Sequence, residues 1–177
     1  MLIHNKTEIL IALEDKVRGF NKYISSLDKQ HFEAKPGDKW SAGQNLEHLI
    51  RSTKPLLLAY ALPLFLLRLV FGKANRPSRS YEDLVIKYKT KLAAGGRASG
   101  PYIPPPVPYE KKEELLNKYD SVKEKLSAKI KNYREEDLDQ YILPHPLLGK
   151  LTLREMLFFT IYHNQHHLDL LKARELS

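Results

Sequence analysis

Between Tyr162 and His167 the chain reads Tyr-His-Asn-Gln-His-His, which places three imidazoles within five positions of a segment with apolar periodicity. Residues four apart lie one above the other on a helix, so His163 and His167 can aim at a common ion, as in other helical metal sites. His166 is also within reach of that face. The stripe Leu153, Met156, Thr160 decides between them: extended forward it lands on His163, His167 and Leu170, which turns the pair inward and leaves His166 on the flank. Two imidazoles alone bind weakly, and His48 is the best-placed third ligand, because it lies early in a capped helix. Its neighbours one turn away, Gln44, Asn45, Arg51 and Ser52, are polar, which fits a wet cavity and a solvent-facing side equally. His4, His31 and His145 fall at a terminus or in turns and rank lower. Glu47, Asp169 and Tyr162 are nearby in sequence and are candidates to orient the ligands from behind. Spacing alone fits a metal site no better than it fits surface histidines near a helix C-terminus, where imidazolium is favoured.

These residues must be held by helices, and the sequence supplies four. The first begins at Asn5, with Glu8 at the reciprocal position of a capping box, and runs through Ile9, Leu13, Val17 and Phe20 to about Ser25. After the turn at Pro36-Gly37-Asp38, Ser41 and Gln44 form a second capping box. The helix that follows carries His48, and Pro55 is expected to kink it or end its first part. A third covers Glu110 to Asn132, with Leu115, Leu116, Tyr119, Val122, Leu126 and Ile130 as its buried stripe. A turn containing Pro144, Pro146 and Gly149 leads to a capping box of Thr152 and Glu155, which opens the fourth helix, to about Arg174.

Between the second and third helices the chain is irregular. The run from Leu56 to Phe71 is very apolar, but Pro63 and Arg68 interrupt it and it falls short of the roughly 20 residues that a bilayer span requires. A buried helix, a dimer face or the wall of an apolar pocket is expected there instead. Tyr81 to Ala93 reads as a short helix. Pro104 to Pro108 favour an extended strap across the bundle.

A chain of 177 residues with 42% hydrophobic and 28% charged residues is expected to be one soluble globular domain over residues 1–177. It contains no cysteine, which rules out disulfides, thiolate ligands and thiol nucleophiles; any metal is left to His, Asp or Glu. No signal-peptide pattern opens the chain, so a cytoplasmic location is expected. The net charge of +8 could attract nucleic acid or an acidic small molecule. Lys and Arg are interleaved with Glu, as on a solvated face. There is no helix-turn-helix, zinc-finger spacing or aromatic-basic interleaving, so no nucleic-acid partner is expected.

Trp40-Ser41 with His48 eight positions after the Trp, and His145-Pro-Leu-Leu-Gly-Lys-Leu-Thr through to His167, resemble the DinB-like family, and the likeness covers nearly the whole chain. The resemblance implies an all-α fold, a four-helix bundle with a long irregular connection between helices 2 and 3. It implies that a His of the second helix and the His-x-x-x-His pair of the fourth bind a divalent ion, commonly zinc or nickel; here these are His48, His163 and His167. Members of the wider family include S-transferases and isomerases that use low-molecular-weight thiols. The implied reading is a metal-dependent enzyme, a thiol S-transferase or small-molecule hydrolase, with a thiol cosubstrate that suits a chain lacking cysteine. Leu56 to Phe71 and the proline strap would wall the pocket for an apolar electrophile. A non-catalytic, dimerising metal module is the alternative, and a homodimer is expected under both; neither reading assigns a catalytic base.

Overall fold

A computed structural model describes residues 3–174. Its long helices are α1 (Lys6–Ser26), α3 (Ala42–Ala61), α6 (Lys112–Lys131) and α8 (Leu153–Lys172). Shorter helices are α2 (Lys29–Glu33), α4 (Leu64–Phe71), α5 (Tyr81–Ala93) and α7 (Asp137–Gln140), and strands β1 (Ile142–His145) and β2 (Gly149–Thr152) form a hairpin. The all-α expectation holds, and α1 and α3 each pack between α6 and α8 to close the four-helix bundle. Phe20, Leu46, Leu49, Tyr119, Leu126, Leu157 and Ile161 meet in its core.

All three capping boxes form as the sequence dictates, at Asn5/Glu8, Ser41/Gln44 and Thr152/Glu155. They fix where α1, α3 and α8 begin, and therefore which faces carry the histidines. The predicted stripe of α6 is buried throughout. The sequence did not reveal α2, α7 or the hairpin. These elements are four or five residues long, too short to show a period, and β1 contains Pro144.

Pro55 neither ends α3 nor divides it. The helix runs on to Ala61, and Pro55 is exposed, so the carbonyl it leaves unpaired can meet water. The break comes at Leu62, extended at ψ 144° ahead of Pro63, as the residue before a proline prefers. There α3 and α4 bend by 115°, and among the described residues no single helix is long and apolar enough to cross a membrane. The expectation of a buried helix over this run is corrected in part: α4 buries Leu67 but exposes Phe65, Leu69 and Val70.

The proline strap crosses the start of α3, where the Pro104 carbonyl accepts from Gln44 Nε2 at 3.2 Å and Val107 packs inward. Gly43 is required by this closeness. A Cβ there would lie 2.6 Å from the buried Phe32 ring and 3.0 Å from Val107. Overpacking of this kind costs about 1–3 kcal/mol, against at most about 1 kcal/mol gained by alanine over glycine in a helix. Gly43→Ala is expected to lower the melting temperature by a few degrees in scanning calorimetry.

Candidate metal centre

His48 sits two turns into α3, and His163 and His167 lie one turn apart on α8; all three are buried. The structure brings these three predicted residues together. Nε2 of His163 lies 3.2 Å from Nε2 of His48 and 3.0 Å from Nε2 of His167. Each outer imidazole is held from behind at Nδ1. His48 Nδ1–H donates to the Tyr102 carbonyl at 2.7 Å, and His167 Nδ1–H donates to Asn45 Oδ1 at 2.6 Å. The Asn45 side chain is itself oriented, since its Nδ2 donates to the carbonyls of Trp40 and Ser41. With Nδ1 protonated, both Nε2 atoms are bare lone pairs aimed at His163.

One proton on His163 Nε2 can satisfy one of those lone pairs but not both. A cation among the three satisfies every one. Two imidazoles bonded tetrahedrally to one ion at about 2.0–2.1 Å have nitrogens roughly 3.3 Å apart, close to the spacing seen here. The three residues therefore could hold a divalent metal ion. Burial pushes the imidazolium forms of His163 and His167 well below the usual histidine range, and neighbouring imidazoles push in the same direction, so both present the neutral rings that a metal requires.

His166 is half-buried beside the triad, its ring 5.3 Å from His167 and stacked on Tyr162, with Nε2 and Nδ1 outside the convergent group. Of the residues expected to orient the ligands, none does so. Glu47 accepts from Arg51 at 2.7 Å, Asp169 accepts from Gln165 at 2.7 Å, and Tyr162 packs edge-on against Tyr88. Asn45 and the Tyr102 carbonyl fill that role. Asn45 stands three residues before His48 on one face of α3, a spacing the sequence shows; Tyr102 comes from the irregular connection, which no local pattern could place. His31 lies in α2 rather than in the expected turn and pairs with Asp28, and both it and His4 are exposed. His145 is not: it is buried, with Nδ1 accepting from the backbone N–H groups of Leu147 and Leu148, and burial, reinforced by the Lys87 charge, takes its pKa down to about 4.

The triad forms part of the wall of a cavity of about 850 Å³. Trp40 lies against it, its ring 4.9 Å from His48 and parallel to His167, while Phe159 stacks on His163 at 4.7 Å. Leu56 and Phe71 line the cavity, as the pocket-wall reading of the apolar run expects. The connection lines the cavity with residues 96–99, Tyr102 and Ile103, all ahead of Pro104 to Pro108, so the proline strap itself is not a wall. Leu170, at the end of the predicted inward stripe, lines the cavity but is exposed, while Leu168 and Leu171 on either side of it are buried.

A family model described as the DinB superfamily matches residues 12–171. The protein YuaE of Bacillus subtilis (strain 168), itself described as uncharacterized, is 36% identical over 59 residues, 33% of this chain and 36% of that relative's length. Among solved structures, the colibactin self-resistance protein ClbS in complex with a dsDNA is similar, with a TM-score of 0.55 and 15% identity, covering 100% of this chain and 99% of that one. At that identity the likeness is one of fold. The expectation that nucleic acid is no partner is overturned by this finding, because a protein of this fold was crystallised with duplex DNA. The expectation relied on motifs that read bases, whereas a duplex can also be held through its phosphates by charge alone.

Proposed function

The chain belongs to the DinB superfamily, and on that footing we propose that it is a metal-dependent enzyme in which His48, His163 and His167 hold one zinc or nickel ion. The observation that carries this reading is the convergence of three Nε2 atoms, two of them with their tautomers fixed from behind, on the wall of an apolar cavity. Three protein ligands leave a position for an exogenous group, as catalytic rather than structural sites do. Such an ion, when bound, supplies Lewis acidity that favours the thiolate of a coordinated thiol or the ionised form of water.

The reaction proposed is transfer of a low-molecular-weight thiol to an apolar electrophile, or hydrolysis of a small substrate where water takes the thiol's place. In the transfer, the sulfur–carbon bond forms as the leaving group departs with the bonding pair. The protein's part is to orient and to exclude water. Asn45 and the Tyr102 carbonyl keep two imidazoles aimed, Trp40 and Phe159 shield the ligands, and Leu56, Phe71 and Leu143 receive the apolar partner. Loss of a hydrogen bond behind a ligand typically costs roughly 10–100-fold in metal affinity. Asn45→Ala is expected to weaken zinc binding by that factor in a competition titration against a chromophoric chelator, with the fold retained.

The test is metal content by elemental mass spectrometry on tag-free protein, beside His48→Ala, followed by a screen of small thiols against apolar electrophiles. About one equivalent of zinc or nickel, absent from the variant, with turnover that follows the metal, supports the enzyme. Metal that raises the melting temperature without any turnover points to a non-catalytic module, and no uptake of either ion refutes the site.

A second reading is favoured by the ClbS complex and the net charge of +8: binding to duplex DNA through phosphates. Fluorescence anisotropy with a labelled duplex would show affinity that falls steeply between 50 and 200 mM salt, conditions over which phosphate contacts weaken. Failure to bind even at the lower salt would remove it.

A further inference from the structure

One buried polar side chain of the cavity has no part in the triad. His145 closes the β1–β2 hairpin opposite Gly149, whose φ of 76° completes the turn. The N–H groups of Leu147 and Leu148 both donate to its Nδ1, each at 3.1 Å. Two donors on Nδ1 leave no room for a proton there, so the neutral ring carries its proton on Nε2. That Nε2–H has no hydrogen-bond partner among the described residues, and His145 lines the cavity. Nε2 is open to the cavity rather than sealed in the core, so what enters the cavity, water or the acceptor of a ligand, is what matches its proton. The Phe159 ring stands 4.2 Å from His145 and 4.7 Å from His163, so the donor lies one aromatic ring away from the triad along the same wall.

We infer that His145 is a ligand-binding residue, donating from Nε2 to an acceptor oxygen, such as a carbonyl or ether oxygen, on an otherwise apolar small molecule. The surroundings select the rest of the ligand: Leu56, Phe71, Leu92, Leu143, Leu147 and Met156 present hydrocarbon to the same space. The inference rests on reading the cavity as a substrate pocket, but it does not require the metal.

Benzophenone and diphenylmethane make a suitable pair of probes, because they differ at the carbonyl oxygen. Trp40, the chain's one tryptophan, lines the cavity and reports binding by fluorescence. The informative variant is His145→Asn. Asparagine Oδ1 can still accept from the two turn N–H groups, as it does in Asx turns, yet the side chain is too short to offer a donor where Nε2 was. His145→Asn should therefore keep its melting temperature, the check that the turn is intact.

The wild-type protein is expected to bind benzophenone roughly three- to tenfold more tightly than diphenylmethane, the size of one neutral hydrogen bond, and His145→Asn to bind the two alike. Equal binding of both by the wild type, binding of neither, or a preference that survives in His145→Asn would each overturn the inference. Titrations with and without one equivalent of zinc separate this result from the metal reading. Protein that takes up no zinc but discriminates through His145 refutes the metal site alone, and protein that takes up zinc without discriminating refutes the role of His145 alone.

Discussion

His163→Ala is expected to leave the protein without metal after dialysis against a mild chelator, while His166→Ala retains about one equivalent. His163 is the middle of the triad, the residue whose Nε2 lies within 3.2 Å of both others. Removing it leaves two imidazoles on different helices, and the loss should exceed the roughly 10–100-fold expected of an outer partner such as Asn45. His48→Ala and His167→Ala should act in the same direction. The contrast with His166 tests geometry rather than composition, because the two substitutions delete the same ring within three positions of one helix. His166 packs against Tyr88 and Tyr162 and directs no nitrogen at the common point. Metal lost on His166→Ala but kept on His163→Ala would show that the wrong face of α8 had been assigned. Circular dichroism of each variant separates a lost ligand from a lost fold.

The triad was legible in the sequence to the extent that local rules set it. A capping box fixes the first residue of a helix, and the apolar stripe with its 3.6-residue period then puts His163 and His167 together inward on α8; Ser41 and Gln44 set where α3 begins, but the polar neighbours of His48 leave its face open, and only the family resemblance singles it out. What the sequence withheld is non-local. The Tyr102 carbonyl reaches His48 from 54 residues away, out of a stretch with no period. Two prolines, Pro55 and Pro63, look alike in sequence and are both exposed, yet only the second breaks the helix, a difference that no local pattern shows. His145 ranks low from sequence as a turn residue, but it is the last residue of β1, and its Nδ1 caps the turn that follows. The turn folds under α8, so that the ring capping it also faces the cavity.

The start of α8 depends on more than its capping box, and this leads to the other large effect. Glu155 is fully buried, and its carboxylate takes a two-pronged contact from Arg76 at 2.6 and 2.8 Å, further bonds from the Arg79 guanidinium and backbone N–H, and the Thr152 N–H at 3.0 Å. Burial alone would raise this carboxyl; the Arg76 guanidinium and the Arg79 and Thr152 N–H groups overcome it and hold it below the usual value. The wild-type carboxylate therefore contributes stability at pH above the unfolded pKa, lost only as pH falls through the depressed folded one. Replacing both arginines by alanine strands a buried charge with two backbone donors, at a cost of about 3–5 kcal/mol, which corresponds to a fall of roughly 10 °C in melting temperature for a chain of this size.

In that double variant burial prevails, the folded pKa rises, and protonation relieves the penalty. The gap from wild type should be widest near pH 8 and narrow towards pH 5. Glu155→Ala should cost less than the double variant, because Arg76 and Arg79 are each about a third exposed (32% and 31%) and can return to water. Scanning calorimetry of the three proteins from pH 5 to pH 8 checks both statements. A gap that does not change with pH, or a greater loss from Glu155→Ala, would mean that the arginines only brace the loop between α4 and α5. If the gap behaves as expected, the loop is anchored by charge to the turn from which His163 and His167 take their register, and metal affinity should weaken in the double variant although neither arginine touches a ligand.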